Sequence, residues 1–318
     1  MSSIEPGLEA TACLLCGGDL ATPVLHGPDY FMHVAGQYAL VRCGRCGLVY
    51  QNPRPALGQI GRYYPQHYGS YGSAQQGLKA RRGLMAAVIR RGQTARSRLL
   101  DARVPPVAGR ARRLLDIGCA SGLFLETMQR LPGWQVEGVE LDQATAQATS
   151  ARLGVPVFAG PFEQAAFQCG SFDAITLWDV LEHLHEPLSS LRSIRRLLRP
   201  GGVLFVRVPD SASYVARLCG RFWSGYDLPR HMVAFTPHTL AQMLGAAGFS
   251  QVLARYPSGS YLAALHSLRF AMDAGLPPPV AASIHRTLLH PLARAAVWLP
   301  QQLADLALGG SNIEVMVA

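Results

Sequence analysis

The chain has 318 residues, 49 % of them hydrophobic, and a formal charge of +9. That is length and apolar mass for one α/β domain of ordinary size plus a small appendage, and it excludes a largely disordered chain. Lys79 is the only lysine, so the positive charge is nearly all arginine, a bias that genomic composition accounts for as well as a nucleic-acid partner does.

No basic-then-apolar leader pattern opens the sequence, and no apolar run reaches membrane-spanning length, so a cytoplasmic protein is expected. Seven cysteines fall as two x-x-spaced pairs, Cys13 with Cys16 and Cys43 with Cys46, and three scattered residues, Cys119, Cys169 and Cys219. A secreted disulfide framework would space them otherwise. A glycine follows each pair, Gly17 and Gly47, where the backbone must turn toward the sulfurs. Two such knuckles supply the four soft ligands of a tetrahedral Zn²⁺, and a Cys₄ set leaves no open position, so the expected site is structural. The alternatives are four buried thiols without metal, or a catalytic zinc, for which no carboxylate or histidine partners the set.

Residues 1–75 therefore read as a small zinc-binding module, with extended pieces at 38–42 and 48–50 and a closing turn at Asn52-Pro-Arg-Pro55. A unit this size buries little core, and a metal staple supplies the missing stability. Residues 76–110 read as a basic helical linker, with Leu84, Met85, Val88 and Ile89 at helical spacing and Pro105-Pro106 as the break. From 111 onward short apolar runs alternate with helical patterns. Strands are expected at 113–117, 135–141, 155–158, 172–178 and 203–208, and helices from 123, over 144–153 and over 187–198. Such alternation predicts an α/β fold, a doubly wound parallel sheet. The stretch 258–310 reads as an apolar helical insertion before a last strand at 312–317. Its helices are expected to cover an active site or form a homodimer contact, with a peripheral membrane contact as the alternative.

The chemistry begins at Asp116-Ile-Gly-Cys-Ala-Ser-Gly122, a strand end turning through glycines into a helix. A side-chain-free turn lets the backbone approach a ligand, and the helix start offers unpaired N–H groups. Glu140 closes the next strand, where an acidic side chain meets a ribose diol. NAD, a flavin or S-adenosylmethionine would suit such a corner. The turn is not the dinucleotide Gly-x-Gly-x-x-Gly, and no second mononucleotide half follows.

The ordered set Leu-Leu-Asp-Ile-Gly-Cys-Ala-Ser-Gly122, Val-Glu-Leu-Asp142, Phe172-Asp-Ala-Ile, Asp179-Val-Leu-Glu-His183 and Arg199-Pro-Gly-Gly resembles the class I S-adenosylmethionine-dependent methyltransferases over about residues 111–257. With the cysteine pairs ahead of it, the chain is most similar to the branch in which a Cys₄ zinc module precedes the catalytic domain, a branch that includes sugar C-methyltransferases. The resemblance implies a Rossmann-like sheet. It places Asp116, Gly118, Cys119 and Gly122 at the amino-acid end of S-adenosylmethionine and Glu140 on the ribose, with Leu141 beside it. Phe162 and Glu163 then lie near the adenine, and Trp178 and Asp179 beside the sulfonium, a cation that carboxylate and aromatic faces accept. For Phe162 and Trp178 core packing is the other reading.

Methyl transfer needs in-line placement, and a base only where the acceptor must lose a proton. His231 and His183 are the candidates. His231 resembles a histidine of the acceptor pocket in the zinc-containing sugar C-methyltransferases, where the run is Tyr-His-Glu-His; here it is Leu228-Pro-Arg-His231. A lone histidine is more often structural than catalytic, but a proline turn beside Arg230 is a poor setting for a buried one, so an accessible, functional histidine is the reading set against it. The expected function is methyl transfer to a small-molecule acceptor, a saccharide or secondary-metabolite hydroxyl or activated carbon. The alternatives are an RNA methyltransferase guided by the zinc ribbon, and an enzyme that uses the same cofactor without methylating. Against RNA, the basic segment lacks interleaved stacking aromatics.

Overall fold

A computed structural model describes residues 6–64, 84–257, 259–289 and 291–318. The end of the expected zinc module and the start of the expected linker, 65–83, lie outside the described residues.

Thirteen strands occur among the described residues. In the N-terminal module β1 (Leu8–Glu9) pairs with β5 (Arg54–Pro55), while β2 (Ala21–Gly27), β3 (Tyr38–Cys43) and β4 (Val49–Gln51) form an antiparallel ribbon. The ribbon is completed from the far side of the sequence, by β11 (Val233–Ala234) adding antiparallel to β4.

The seven-stranded sheet runs β12-β13-β10-β9-β6-β7-β8. Its members are β6 (Arg112–Ile117), β7 (Trp134–Glu140), β8 (Val157–Ala159), β9 (Phe172–Trp178), β10 (Leu198–Pro209), β12 (Gln251–Arg255) and β13 (Asn312–Val317). The pairings from β8 to β10 are parallel. β13 enters antiparallel between β10 and β12. Every residue of β9 but Trp178 is buried, as a central strand covered on both faces requires.

Local sequence explains the helices between them. In α4 (Pro187–Leu197) Pro187, Ser190, Leu191, Ile194 and Leu197 form the buried stripe, with Pro187 in the first turn, where its missing N–H costs nothing. Asp142 caps α3 (Gln143–Leu153) by accepting from the Thr145 amide, and Gly154 ends it in the left-handed region. Thr236 and Thr239 make a reciprocal capping box on α6 (Pro237–Ala246). The two other short helices of this part are α2 (Leu123–Gln129) and α5 (Tyr214–Cys219).

The helix expected in the basic linker spans Leu84–Arg103 as α1. Its second half packs on the sheet domain: Leu100 and Val104 are buried in one cluster with Leu114, Leu125 and Val136. Ser97 hydrogen-bonds Thr127 at 2.7 Å, and the Trp134 indole donates to Asp101 at 2.8 Å. Residues 258–310 hold three helices, α7 (Tyr261–Gly275), α8 (Pro278–Leu289) and α9 (Pro291–Leu308). Their outer faces leave Leu262, Leu268, Ile284, Trp298, Leu303 and Leu306 exposed. Among the described residues no helix is long and apolar enough to cross a membrane.

The module is bound to the sheet domain at several places. β11 joins its ribbon, Arg54 reaches the His185 carbonyl and the Glu186 carboxylate, and Tyr30 and Phe31 pack on Phe270 of α7.

Candidate active site

The turn after β6 sits where the sheet's parallel strands end. Gly118 and Gly122 have φ of +72° and +68°, so both occupy the left-handed region. A Cβ on Gly118 would fall 2.5 Å from a Val180 methyl, and one on Gly122 would fall 2.6 Å from the Thr149 methyl. Gly138 of β7 admits the Cys119 thiol in the same way, a Cβ there lying 2.7 Å from the sulfur. Cys119 is thus a packing residue of the turn, buried beneath it.

Two carboxylates are buried at this corner. Asp116 accepts from the Thr176 hydroxyl at 2.6 Å. Burial, with a smaller contribution from the charge of Glu140, pushes its pKa up to about 7. Glu140 accepts from the Ala120 amide at 2.8 Å and the Asp142 amide at 3.0 Å, and burial raises its pKa too. Leu141, the next residue, is more than half exposed. A side-chain-free turn beside two desolvated carboxylates fits a cationic ligand with an amino-acid end, because the ligand's positive charge replaces the lost hydration. The residues present therefore fit S-adenosylmethionine.

The other expected cofactor residues lie differently. Phe162 is buried in the main core. Glu163 is exposed and accepts from Ser190 at 2.7 Å. The Trp178 ring packs between Phe124 and Phe205, with the Arg96 guanidinium over its face at 4.7 Å. Its indole N–H is buried without a partner. Asp179 follows with φ +56°, its carboxylate 3.3 Å from Arg207.

Next to this corner the chain makes the 3₁₀ turn Leu181–His183, where Glu182 and His183 meet His231. The two imidazoles stand edge-to-face, centroids 4.4 Å apart. Nδ1 of His231 lies 2.8 Å from the Gly225 carbonyl, and Nδ1 of His183 lies 3.1 Å from the Arg230 carbonyl and 2.9 Å from the Tyr64 hydroxyl. Burial holds both rings neutral, with His183 pushed down to about 3. The expectation that His231 is accessible is corrected here: it is 8 % exposed, and Arg230 beside it is fully buried. The cause is long-range. Arg230 bridges Asp227 and Asp29 of the module, donating to each at 2.6 Å, and the module closes over the segment. Tyr64, Asp29 and Glu182 complete this region and carry no local signal beyond Glu182's place in the Asp-Val-Leu-Glu-His run.

In the module the four sulfurs of Cys13, Cys16, Cys43 and Cys46 lie within 4.8 Å of one another. Cross-knuckle contacts are 3.4 Å for Cys13–Cys46 and 3.5 Å for Cys16–Cys43. Tetrahedral zinc–thiolate bonding sets about 3.8 Å between sulfurs, so the donor set fits the ion. Gly17 and Gly47 take positive φ, each donating its amide to the carbonyl of the first cysteine of its knuckle.

Residues 87–254, just over half of the chain, match the family model described as a methyltransferase domain. The chain belongs to this family, and its sheet order and glycine turn are those of the class I, S-adenosylmethionine-dependent type. Among curated proteins it is similar to the ubiquinone biosynthesis O-methyltransferase of Xanthomonas axonopodis pv. citri (strain 306), 38 % identical over 136 residues, which are 37 % of this chain and 55 % of that one. The same-named enzyme of Xanthomonas oryzae pv. oryzae (strain PXO99A) is 33 % identical over 156 residues, covering 43 % of this chain and 65 % of the relative. The chain thus spans under two thirds of the length of these relatives. Among solved structures, the complex between the Haloferax volcanii Trm112 methyltransferase activator and a methyltransferase aligns with a TM-score of 0.52 at 17 % identity, covering 79 % of this chain and 97 % of that one. Phosphoethanolamine N-methyltransferase 2 of Haemonchus contortus, in complex with S-adenosyl-L-methionine, aligns at 0.50 and 14 % identity, covering 85 % and 62 %. At such identities the likeness is one of fold.

Proposed function

We propose that this protein transfers a methyl group from S-adenosylmethionine to an oxygen of a small-molecule acceptor. The observation that carries the reading is the adjacency of two unlike sites. The turn with its buried carboxylates touches, through Gly118 and Val180, the short segment that leads to Glu182 and His183.

Asp116 and the backbone of the turn from Gly118 through Cys119 to Gly122 would hold the amino-acid end of the donor, Glu140 and Leu141 its ribose, and Phe162 and Glu163 would border the adenine. Trp178 and Asp179 would border the sulfonium. When bound, the donor supplies a methyl group on an already cationic sulfur, a leaving group that needs no further activation. The chain's own work is placement, exclusion of water and care of the acceptor's proton. The acceptor O–H bond breaks, its oxygen forms the bond to the methyl carbon, and the S–CH₃ bond breaks to leave a neutral thioether. His231 and His183 are assigned to the acceptor side, each a neutral ring whose nitrogen lone pair can take the acceptor's proton directly or hold a group that acidifies it. The ubiquinone O-methyltransferases support an oxygen acceptor. In the module Cys13, Cys16, Cys43 and Cys46 would hold a structural Zn²⁺.

Labelled S-adenosylmethionine incubated with a panel of small phenols, catechols and saccharides tests the reading: label should pass to a hydroxyl of one class. Transfer to RNA alone, or no donor binding in calorimetry, would sink it. Asp116→Ala and Glu140→Ala should each weaken donor binding by about tenfold or more, the loss of one charge-assisted contact. His231→Ala should lower kcat with donor affinity nearly unchanged; equal damage to both refutes its place on the acceptor side.

A further inference from the structure

Glu182 is 1 % exposed, and neither of its carboxylate oxygens has a hydrogen-bond partner. A carboxyl group in that state lacks both water and donors, so something else must meet it. Facing it are His183 and His231, and one ligand atom from each of the three residues lies within 4.8 Å of the others. His231 turns Nδ1 to the Gly225 carbonyl and His183 turns Nδ1 to the Arg230 carbonyl, groups that can only accept, and the Tyr64 hydroxyl beside His183 Nδ1 can accept as well. The ring proton therefore sits on Nδ1, and Nε2 keeps its lone pair. An Nδ1–H bound to a carbonyl is the outer contact that metal-binding histidines have. Nε2 of His231 also faces a second carboxylate, Asp227 Oδ2, at 3.8 Å. The other oxygen of that carboxylate accepts from the Arg230 guanidinium, which is shared with Asp29.

We propose that Glu182, His183 and His231 form a second metal site, separate from the four cysteines, that takes a divalent first-row transition ion of the zinc type. Two imidazoles and one carboxylate suit such an ion rather than magnesium or calcium, which prefer oxygen throughout. Three protein ligands leave a position open. There the ion would bind the acceptor oxygen and lower its pKa, so that its proton goes to solvent and the histidine lone pairs go to the metal. That role rests on the proposed methyl transfer; binding of the ion does not.

The test is metal stoichiometry of the full chain after equilibrium dialysis against Zn²⁺, with S-adenosylmethionine affinity measured by calorimetry on the same samples. The native protein should hold two equivalents, and Glu182→Gln and His231→Asn should each hold one. With Co²⁺ instead, the thiolate charge-transfer bands should persist in both variants while the second, sulfur-free absorption disappears. One equivalent in the native protein overturns the site even if neither variant folds, as do two equivalents retained in both folded variants. Two equivalents without donor binding would leave the metal site standing and remove the methyl-transfer reading; one equivalent with normal donor binding does the reverse.

Discussion

Arg230 shows how one side chain joins distant parts of the chain. It is fully buried, and its charge is met by Asp29 of the module and Asp227 of its own loop, with the Tyr63 carbonyl as a further acceptor. Removing it leaves two buried carboxylates without their cation, Asp29 keeping the amides of Phe31, Met32 and Val34. Arg230→Ala should therefore destabilise the protein by about 3–5 kcal/mol in urea unfolding; a change below about 1 kcal/mol would mean that the carboxylates are solvated in solution. Asp116 makes a prediction of opposite character. Its folded-state pKa of about 7 stands above the ordinary aspartate value of 3.8. The native state then holds the proton more tightly than the unfolded chain between those values, and stability falls as pH rises through that window. The loss is on the order of a few kcal/mol and should level off above neutrality. Asp116→Asn should flatten the slope, as followed by thermal unfolding across pH 4–8. An unchanged slope would place the titrating group elsewhere.

At the scale of elements, β11 is the instructive piece. It follows His231 closely in sequence, yet it pairs with β4 of the module, and the Gln51 amide donates to the Met232 carbonyl at 2.9 Å. The Met232 amide in turn donates to the Glu182 carbonyl at 2.7 Å. The cysteine ribbon, the histidine loop and the Leu181–His183 turn thus share one hydrogen-bonded seam. Loosening the ribbon should disturb His231 and His183 before it disturbs the glycine turn, which hangs on β6 and β7. Cys16→Ser with Cys46→Ser is expected to lower kcat several-fold while donor affinity stays within about twofold, the additivity limit for distant sites. A parallel fall in donor affinity would show that the module holds the whole sheet domain rather than one side of it.

Over the whole molecule, local patterns and distant pairings divided the work. Six of the seven strands of the sheet were legible because each is a short apolar run set off by turn residues: the expected 172–178 is Phe172–Trp178, and the expected 312–317 is Asn312–Val317, while β12 was not foreseen. The glycine turn and the four cysteines followed from spacing alone, since a turn or a knuckle is made by residues close in sequence; the order of the sheet did not. The histidine site was only half legible. His183 and His231 stood out as residue types, but their meeting, the closure of Asp29 over Arg230 and the burial of Glu182 depend on contacts between segments far apart in the chain. The polar run Asp227-Leu-Pro-Arg-His231 reads as surface, and it is buried because a separate module supplies Asp29 and an edge strand to cover it. Sequence by itself determined the family, the glycine turn and the cysteine knuckles, all of which are short-range patterns. Tertiary structure decided what surrounds the two histidines, because burial and electrostatic environment belong to the packed chain and not to any segment of it.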